Sequence, residues 1–175
     1  WNQPTDPNDL YDENWQHSYI FDVTDFAPLL TDSSLIRVHY DGWSTGFSAT
    51  VDFDFIEGIP PRDVLGIENI APVGGYSYQS LADDQNFQPI TKSFNEEVKG
   101  VAVKSYVSGH GHEGPQNCCE WVSKQHSISI NGDDIYQWDV WKDCGMIPIY
   151  PQGGTWPFDR AGWCPGQVSD IKEID

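Results

Sequence analysis

Apolar and polar residues alternate along several short stretches of the chain. In residues 46–56, GFSATVDFDFI, one set of alternate positions is apolar, whereas the other carries Ser, Thr and Asp. A period of two is typical of an antiparallel strand with one buried face. The same reasoning predicts further strands over residues 18–23, 34–40, 101–107, 126–130 and 135–141.

Turn signals lie between these stretches, and helix signals are scarce. Asn131-Gly132 separates the last two predicted strands and indicates a tight hairpin. Short strands divided by turns rich in Gly and Pro predict an all-β fold, an antiparallel jelly-roll β-sandwich. A length of 175 residues fits one such domain with a sizeable core.

The first residues differ from the rest of the chain. Residues 1–14 are acidic and lack periodicity, so we interpret them as an arm or linker and place the jelly-roll domain over residues 15–175. The oxygen-rich residues 6–13, DPNDLYDE, could hold Ca²⁺, but an acidic solvated turn is the favoured interpretation.

The net charge of the chain restricts the partners that we expect. The chain has 27 acidic and 9 basic residues, a formal charge of −18, which excludes nucleic acid and anionic membranes as expected partners. No apolar run reaches the roughly 20 residues of a membrane span.

The chain begins with Trp1, and its single Met is Met146, so we expect a processed or partial chain. Four cysteines suit an oxidising compartment and predict an extracellular or cell-surface location.

Residues 109–121, GHGHEGPQNCCEW, contain the densest candidate chemistry. His110 and His112 would share one face of a strand and could together bind copper or zinc, with Cys and Glu ligands following. The flanking glycines instead favour a loop packed closely against another backbone. We therefore predict no metal and keep a copper protein as the weaker alternative.

The cysteines form two pairs in the sequence. Cys144 and Cys164 lie twenty residues apart beside Gly or Pro turns, which suits a structural disulfide worth about 3 kcal/mol on the loop-entropy model. Cys118-Cys119 fits neither a zinc ribbon nor a thioredoxin motif. A vicinal disulfide, a bond to another partner and free buried thiols all stay open for this pair.

A loop rich in Trp is the other candidate. Residues 150–166, YPQGGTWPFDRAGWCPG, combine aromatic side chains, Asp159 and Arg160 with Gly and Pro turns, and Glu120 stands beside Trp121. Aromatic rings that stack on sugars, together with polar groups that bind hydroxyls, would make a glycan site. The alternative is a loop folded over the core by its own aromatic residues, and the residues alone do not choose between the two.

These stretches resemble a known family. DVTDFAPLL, ATVDFDFIEG, SGHGHEGPQNCCEW, WKDCG and above all IYPQGGTWPFDRAGWCPG are similar to the carboxy-terminal domain of the peptide-N-glycosidase F family. The resemblance implies a jelly roll like those of the peptidylglycine-hydroxylating copper monooxygenases. It also implies an amidohydrolase that cleaves the GlcNAc–asparagine bond of N-glycans without a metal or other cofactor, in a cleft between two such domains.

The resemblance assigns roles to individual residues. It implies that Glu120 is the catalytic glutamate that this domain contributes to the cleft. It implies substrate-binding roles for Trp121, Trp163 and Arg160, and a disulfide between Cys144 and Cys164. We add Trp156 and Asp159 of the same loop as candidate substrate-binding residues.

The sequence departs from the family pattern in three ways that bear on the expected glycoamidase activity. The family's water-activating aspartate lies in an amino-terminal domain, which residues 1–14 cannot supply. Family chains have a cysteine after the tryptophan of the glutamate motif, where this chain has Val122. They also continue with strand sequence beyond the segment matching residues 168–175, so we expect an incomplete sheet filled by a second domain or chain.

Two functions follow as hypotheses. The chain is the carboxy-terminal half of a secreted glycoamidase, forming one wall of an N-glycan-facing cleft and inactive by itself. Alternatively, it is a non-catalytic jelly-roll module that binds glycan or protein within an extracellular assembly.

Overall fold

The computed structural model describes residues 14–39, 48–112 and 118–175. It divides into two compact units, one of Trp1–Tyr19 with Gly75–Asp175 and the other of Ile20–Gly74. The predicted arm, apart from its last residue, and the oxygen-rich turn at 6–13 lie outside the described residues. In the described part of the chain, no helix is long and apolar enough to cross a membrane.

The first unit contains four strands and one short helix among its described residues. Helix α1 spans Tyr78–Ala82 and begins at Ser77, whose hydroxyl accepts a hydrogen bond from the Ser80 amide. The strands are β1 (Val103–Tyr106), β2 (Lys124–Ile130), β3 (Asp133–Val140) and β4 (Ile171–Ile174). They pair antiparallel as two two-stranded sheets, β1 with β4 and β2 with β3. The predicted β-rich class with little helix is therefore confirmed.

The β2–β3 hairpin follows the sequence prediction closely. Asn131 and Gly132 have φ angles of 55° and 91°, the left-handed pair that a two-residue hairpin turn requires. His126 lies opposite Trp138, and the Tyr136 ring lies 5.5 Å from the Trp138 ring on the same face. The alternating side chains thus gather their aromatic members on the half-buried side of the hairpin.

Strand β4 was not predicted from the sequence. It pairs with β1 so that Glu173 lies opposite Lys104, and the two side chains form an ion pair at 3.2 Å. An alternating pattern of four residues is too short to predict a strand. The opposite charges of Lys104 and Glu173 are the feature of the sequence that favours pairing of β1 with β4.

The core of the described residues lies in one segment. All the buried side chains fall between positions 140 and 166, and they are Val140, Cys144, Ile147, Ile149, Gln152, Arg160, Ala161, Cys164 and Pro165. Cys144 and Cys164 are bonded to each other, with 5.5 Å between their Cα atoms, and this confirms the predicted disulfide. The bond closes the aromatic loop at its base, where Trp156 packs against Cys144, Ile147 and Cys164.

The second unit has a 3-10 helix at Thr24–Leu29 and no strand among its described residues. Arg62 binds Asp25 through two hydrogen bonds of 2.6 and 3.0 Å. The predicted strands over 18–23, 34–40 and 46–56 are therefore wrong for their described residues. An alternating pattern determines which face of a strand each side chain would occupy, but a strand also needs a neighbouring backbone to pair with. The apolar side chains of this segment are not packed against a partner, since Phe55 and Ile56 are 79% and 90% exposed.

Candidate functional site

Three backbone segments of the first unit meet at the candidate site. The Gly109 amide donates to the Ala161 carbonyl at 2.9 Å, and the Ala161 amide donates to the Glu120 carbonyl at 2.9 Å. The Glu120 amide in turn donates to the Gly111 carbonyl at 2.8 Å. These bonds satisfy the backbone of the irregular loops and fix Glu120 relative to the aromatic loop.

Gly109 confirms the close backbone approach that the glycines predicted. A Cβ at this position would overlap the Cys119 carbonyl oxygen and come within 2.8 Å of the Ala161 Cβ. Only a residue without a side chain allows the two segments to lie this close.

Arg160 is the central side chain of the site. It is only 2% exposed, and its Nη1 donates to Glu120 Oε1 at 3.2 Å. Its Nε donates to the Phe158 carbonyl at 3.2 Å, and its Nη2 donates to the Thr155 carbonyl. A buried charge is tolerated only when it is paired and hydrogen-bonded, and these contacts meet that requirement.

The guanidinium also contacts both neighbouring tryptophans. Its central carbon lies 4.5 Å from the ring centroids of Trp121 and Trp163, a separation at which cation–π attraction acts. The Trp163 indole N–H donates to the Gly109 carbonyl at 2.8 Å, which fixes that ring. Arg160 thereby holds a carboxylate and two aromatic rings in one arrangement.

Burial and charge act in opposite directions on Arg160. Burial lowers the pKa of the guanidinium, and the Glu120 carboxylate raises it. The side chain of Glu120 is 17% exposed, whereas that of its partner Arg160 is 2% exposed.

His110 lies at the far side of Trp163. Its ring stacks on the indole with 4.9 Å between centroids, and its Nε2 lies 2.9 Å from the Ser108 hydroxyl. Burial against these neighbours lowers the pKa of His110, Glu120 raises it and Arg160 lowers it further. Among the described residues, no three His, Cys, Asp or Glu side chains are grouped to hold a metal ion.

The two adjacent cysteines are paired with each other. Cys118 and Cys119 form a vicinal disulfide across a cis peptide bond. The vicinal disulfide is one of the three states that the sequence leaves open, and it lies immediately before Glu120.

The structure brings four of the predicted site residues into contact, and it gives the other two a supporting role in the loop. Glu120, Trp121, Arg160 and Trp163 form one contact cluster. Asp159 instead accepts a hydrogen bond from the Cys144 amide at 3.0 Å, and Trp156 packs on the disulfide, so both support the loop. Their contact with substrate stays a prediction.

Sequence reasoning missed two contributors. Thr155 accepts from Arg160 Nη2 through its carbonyl, a group that every residue carries, and its hydroxyl lies 3.5 Å from the same nitrogen. Phe158 contacts the Trp121 ring at 6.4 Å with the planes at 75°. Its position in an aromatic loop was visible, but the contact depends on the fold.

This site is a partly exposed carboxylate paired with a buried arginine between two tryptophan rings, in a β-rich domain. The family model for the C-terminal domain of peptide-N-glycosidase F matches residues 77–175, and the chain belongs to this family. The matched residues fall within the first unit, which contains the whole cluster.

Two individual proteins are similar to the chain. The peptide-N(4)-(N-acetyl-beta-D-glucosaminyl)asparagine amidase F of Elizabethkingia miricola is 30% identical over 163 residues, covering 84% of this chain and 45% of that protein. The solved structure of PNGase F, a glycosylasparaginase from Flavobacterium meningosepticum, is 34% identical over 42% of this chain and 26% of that chain, with a TM-score of 0.40. The chain thus spans about 45% of the length of the curated relative.

Proposed function

We propose that this chain forms one wall of an N-glycan-binding cleft in a secreted glycoamidase related to peptide-N-glycosidase F. Family membership supports the substrate class, since the curated relative is named as an amidase of the GlcNAc–asparagine linkage. The observation that carries the proposal is the Glu120–Arg160 pair, with its guanidinium 4.5 Å from two tryptophan rings. The disulfides support secretion.

Glu120 is the residue of this wall that we assign to the linkage. Its carboxylate can accept hydrogen bonds from the amide N–H groups that flank the first sugar, and Arg160 keeps it from turning away. Trp121 offers an apolar ring beside it, which suits the C–H face of a pyranose, whereas Trp163 contacts both Arg160 and His110 and supports the arrangement. In this assignment Arg160 positions Glu120, because its own surface is almost fully covered.

Hydrolysis needs more than this wall. An amide is cleaved by a positioned water with a base to activate it and donors for the developing oxyanion. We propose that a second domain or chain supplies the base, in the manner that the family resemblance implies, and that the same partner completes a jelly-roll sheet beside β4. The chain alone therefore binds the glycopeptide without cleaving it, which is also how a non-catalytic binding module would behave.

Glu120→Gln tests the assignment. The ligand is a synthetic peptide carrying N,N'-diacetylchitobiose on asparagine, and binding is measured by calorimetry while mass spectrometry follows the peptide for conversion of asparagine to aspartate. We expect the wild-type chain to bind without converting the peptide, and the variant to bind about tenfold more weakly, since a charged hydrogen bond is lost.

Glu173→Gln is the control, because it also neutralises a glutamate that is paired with a basic side chain but lies on β4 beside Lys104. Equal affinity of the Glu120 variant and wild type would contradict the role of Glu120. Release of the glycan by the wild-type chain alone would contradict the need for a partner.

A further inference from the structure

The two disulfides of the first unit differ in burial. Cys144 and Cys164 are each 0% exposed, so the bond between them is enclosed in the core. Cys118 and Cys119 are only partly buried, and they lie immediately before Glu120. Thiol–disulfide exchange requires direct attack on a sulfur atom, so the vicinal bond is the more accessible of the two to a dissolved thiol.

Stability does not account for the vicinal bond. A disulfide stabilises a fold mainly by closing a loop of the unfolded chain, and residues one position apart close almost no loop. The bond instead acts on the two residues that it joins. It ties the side chains of Cys118 and Cys119 into one ring, whereas two free thiols leave each side chain to rotate independently.

Cys119 is packed against the segment that holds the backbone of Glu120. Its amide donates to the His110 carbonyl at 3.3 Å, and its carbonyl oxygen would overlap a Cβ placed on Gly109. The amide of Glu120, the next residue, donates to the Gly111 carbonyl at 2.8 Å. A change in the conformation of Cys119 therefore moves the backbone that carries Glu120.

The contacts continue from Glu120 into the aromatic loop. The Glu120 carbonyl accepts from the Ala161 amide at 2.9 Å, and its carboxylate accepts from Arg160 at 3.2 Å. The Trp163 indole N–H donates to the Gly109 carbonyl at 2.8 Å, on the residue that packs against the cysteines. This N–H is therefore a reporter of the state of the cysteine pair.

We propose that Cys118 and Cys119 form a redox site that controls the candidate functional site. As a disulfide, the pair holds Glu120 in place against Arg160, and as two thiols it releases Glu120. The control of glycopeptide binding rests on the proposed function, in which Glu120 faces the linkage.

The reductant of this site is a dithiol. One of its thiolates attacks a cysteine sulfur, breaks the S–S bond and forms a mixed disulfide, and its second thiolate then displaces the cysteine from that mixed disulfide. Cys118 and Cys119 together gain two electrons and two protons, and the dithiol leaves as its own disulfide.

Dithiothreitol tests the redox site on the intact chain. One portion of the treated chain is alkylated and mapped to locate the free thiols, and another is titrated by calorimetry with the peptide carrying N,N'-diacetylchitobiose. We expect Cys118 and Cys119 to be reduced while Cys144 and Cys164 stay bonded. The reduced chain should bind about tenfold more weakly, as loss of the charged hydrogen bond of Glu120 implies, and reoxidation should restore the affinity.

Cys118→Ser with Cys119→Ser is the matched variant, because its hydroxyls cannot form the bond. We expect it to bind as weakly as the reduced wild-type chain and to be unaffected by dithiothreitol. An equal effect of dithiothreitol on this variant and on the wild type would contradict the proposal. The reduced wild-type chain provides the measurement if the variant fails to fold.

NMR of the Trp163 indole N–H separates this inference from the proposed function, because it needs no glycan. Its signal should shift on reduction, return on reoxidation and stay constant in the serine variant. Free thiols at Cys118 and Cys119 in the untreated chain, simultaneous reduction of both disulfides, or an unchanged Trp163 signal or affinity after selective reduction would overturn the redox site, even while Glu120→Gln still weakens binding. If the oxidised chain does not bind the glycopeptide, the proposed function fails and the control of binding fails with it.

Discussion

Gly109 is the point where the backbone segments of the site come closest. Replacing it with alanine places a Cβ against the Cys119 carbonyl and within 2.8 Å of the Ala161 Cβ. Both are anchored atoms that cannot move aside cheaply, so we expect Gly109→Ala to lower the free energy of unfolding by about 1–3 kcal/mol. Denaturant unfolding measures the change.

Gly100→Ala is the control for this substitution, because a Cβ there would meet nothing within 4 Å. Its free energy of unfolding should match that of the wild type or rise slightly. If both variants unfold alike, the close approach of the two segments does not contribute to stability.

His110 should make the stability of the chain depend on pH. Burial is the largest cause that lowers its pKa from the ordinary value of 6.5. Between the folded pKa and 6.5 the unfolded chain binds more protons, so stability is complete above 6.5 and is lost as the pH falls through the folded pKa. We expect His110→Gln to reduce this acid loss.

The prediction is checked by measuring the free energy of unfolding above pH 6.5 and below the folded pKa of His110, and by titrating the His110 ring by NMR. Part of the slope should remain in the variant, because burial also lowers the pKa of His126. A His110→Gln chain with the full acid loss of the wild type, or a ring that titrates at or above 6.5, would contradict it.

At the scale of elements, the loop closed by Cys144 and Cys164 carries most of the site. The bond spans twenty positions and is fully buried at both ends. On the loop-entropy model, replacing both cysteines with alanine should cost about 3 kcal/mol of unfolding free energy. Because the loop positions Arg160, the double variant should also bind the two-sugar glycopeptide more weakly.

Cys118→Ala with Cys119→Ala is the comparison, since that pair is separated by one position and closes almost no loop. Its loss of unfolding free energy should be clearly smaller. Similar losses for the two double variants would show that loop closure is not the source of the stability.

The secondary structure divides into predictable and unpredictable elements for a physical reason. The β2–β3 hairpin is local: its turn residues, Asn131 and Gly132, and its alternating strands are adjacent in sequence. Residues 48–56 alternate as clearly as β3 but form no strand among the described residues, because pairing partners are not determined by the pattern itself. β4 is the reverse case, a short segment made a strand by its pairing with β1.

On the scale of the whole molecule, the buried side chains of the described residues lie in one unit, and the net charge is strongly negative. Every fully buried side chain among the described residues belongs to the first unit, the one that the family model matches. The formal charge of −18 works against acidic ligands and favours neutral or basic ones. A neutral glycan on a peptide is consistent with that bias.

The sequence by itself determined the β-rich class, the hairpin turn, the disulfide of Cys144 and Cys164 and the family, because these depend on local patterns and on long shared motifs. It also marked Glu120, Trp121, Arg160 and Trp163 as a set. Tertiary structure alone decided that Arg160 is buried and binds Glu120, that Asp159 and Trp156 support the loop, and that Phe158 joins Trp121. These are contacts between residues up to 40 positions apart, and which groups meet across such a distance depends on how the loops pack.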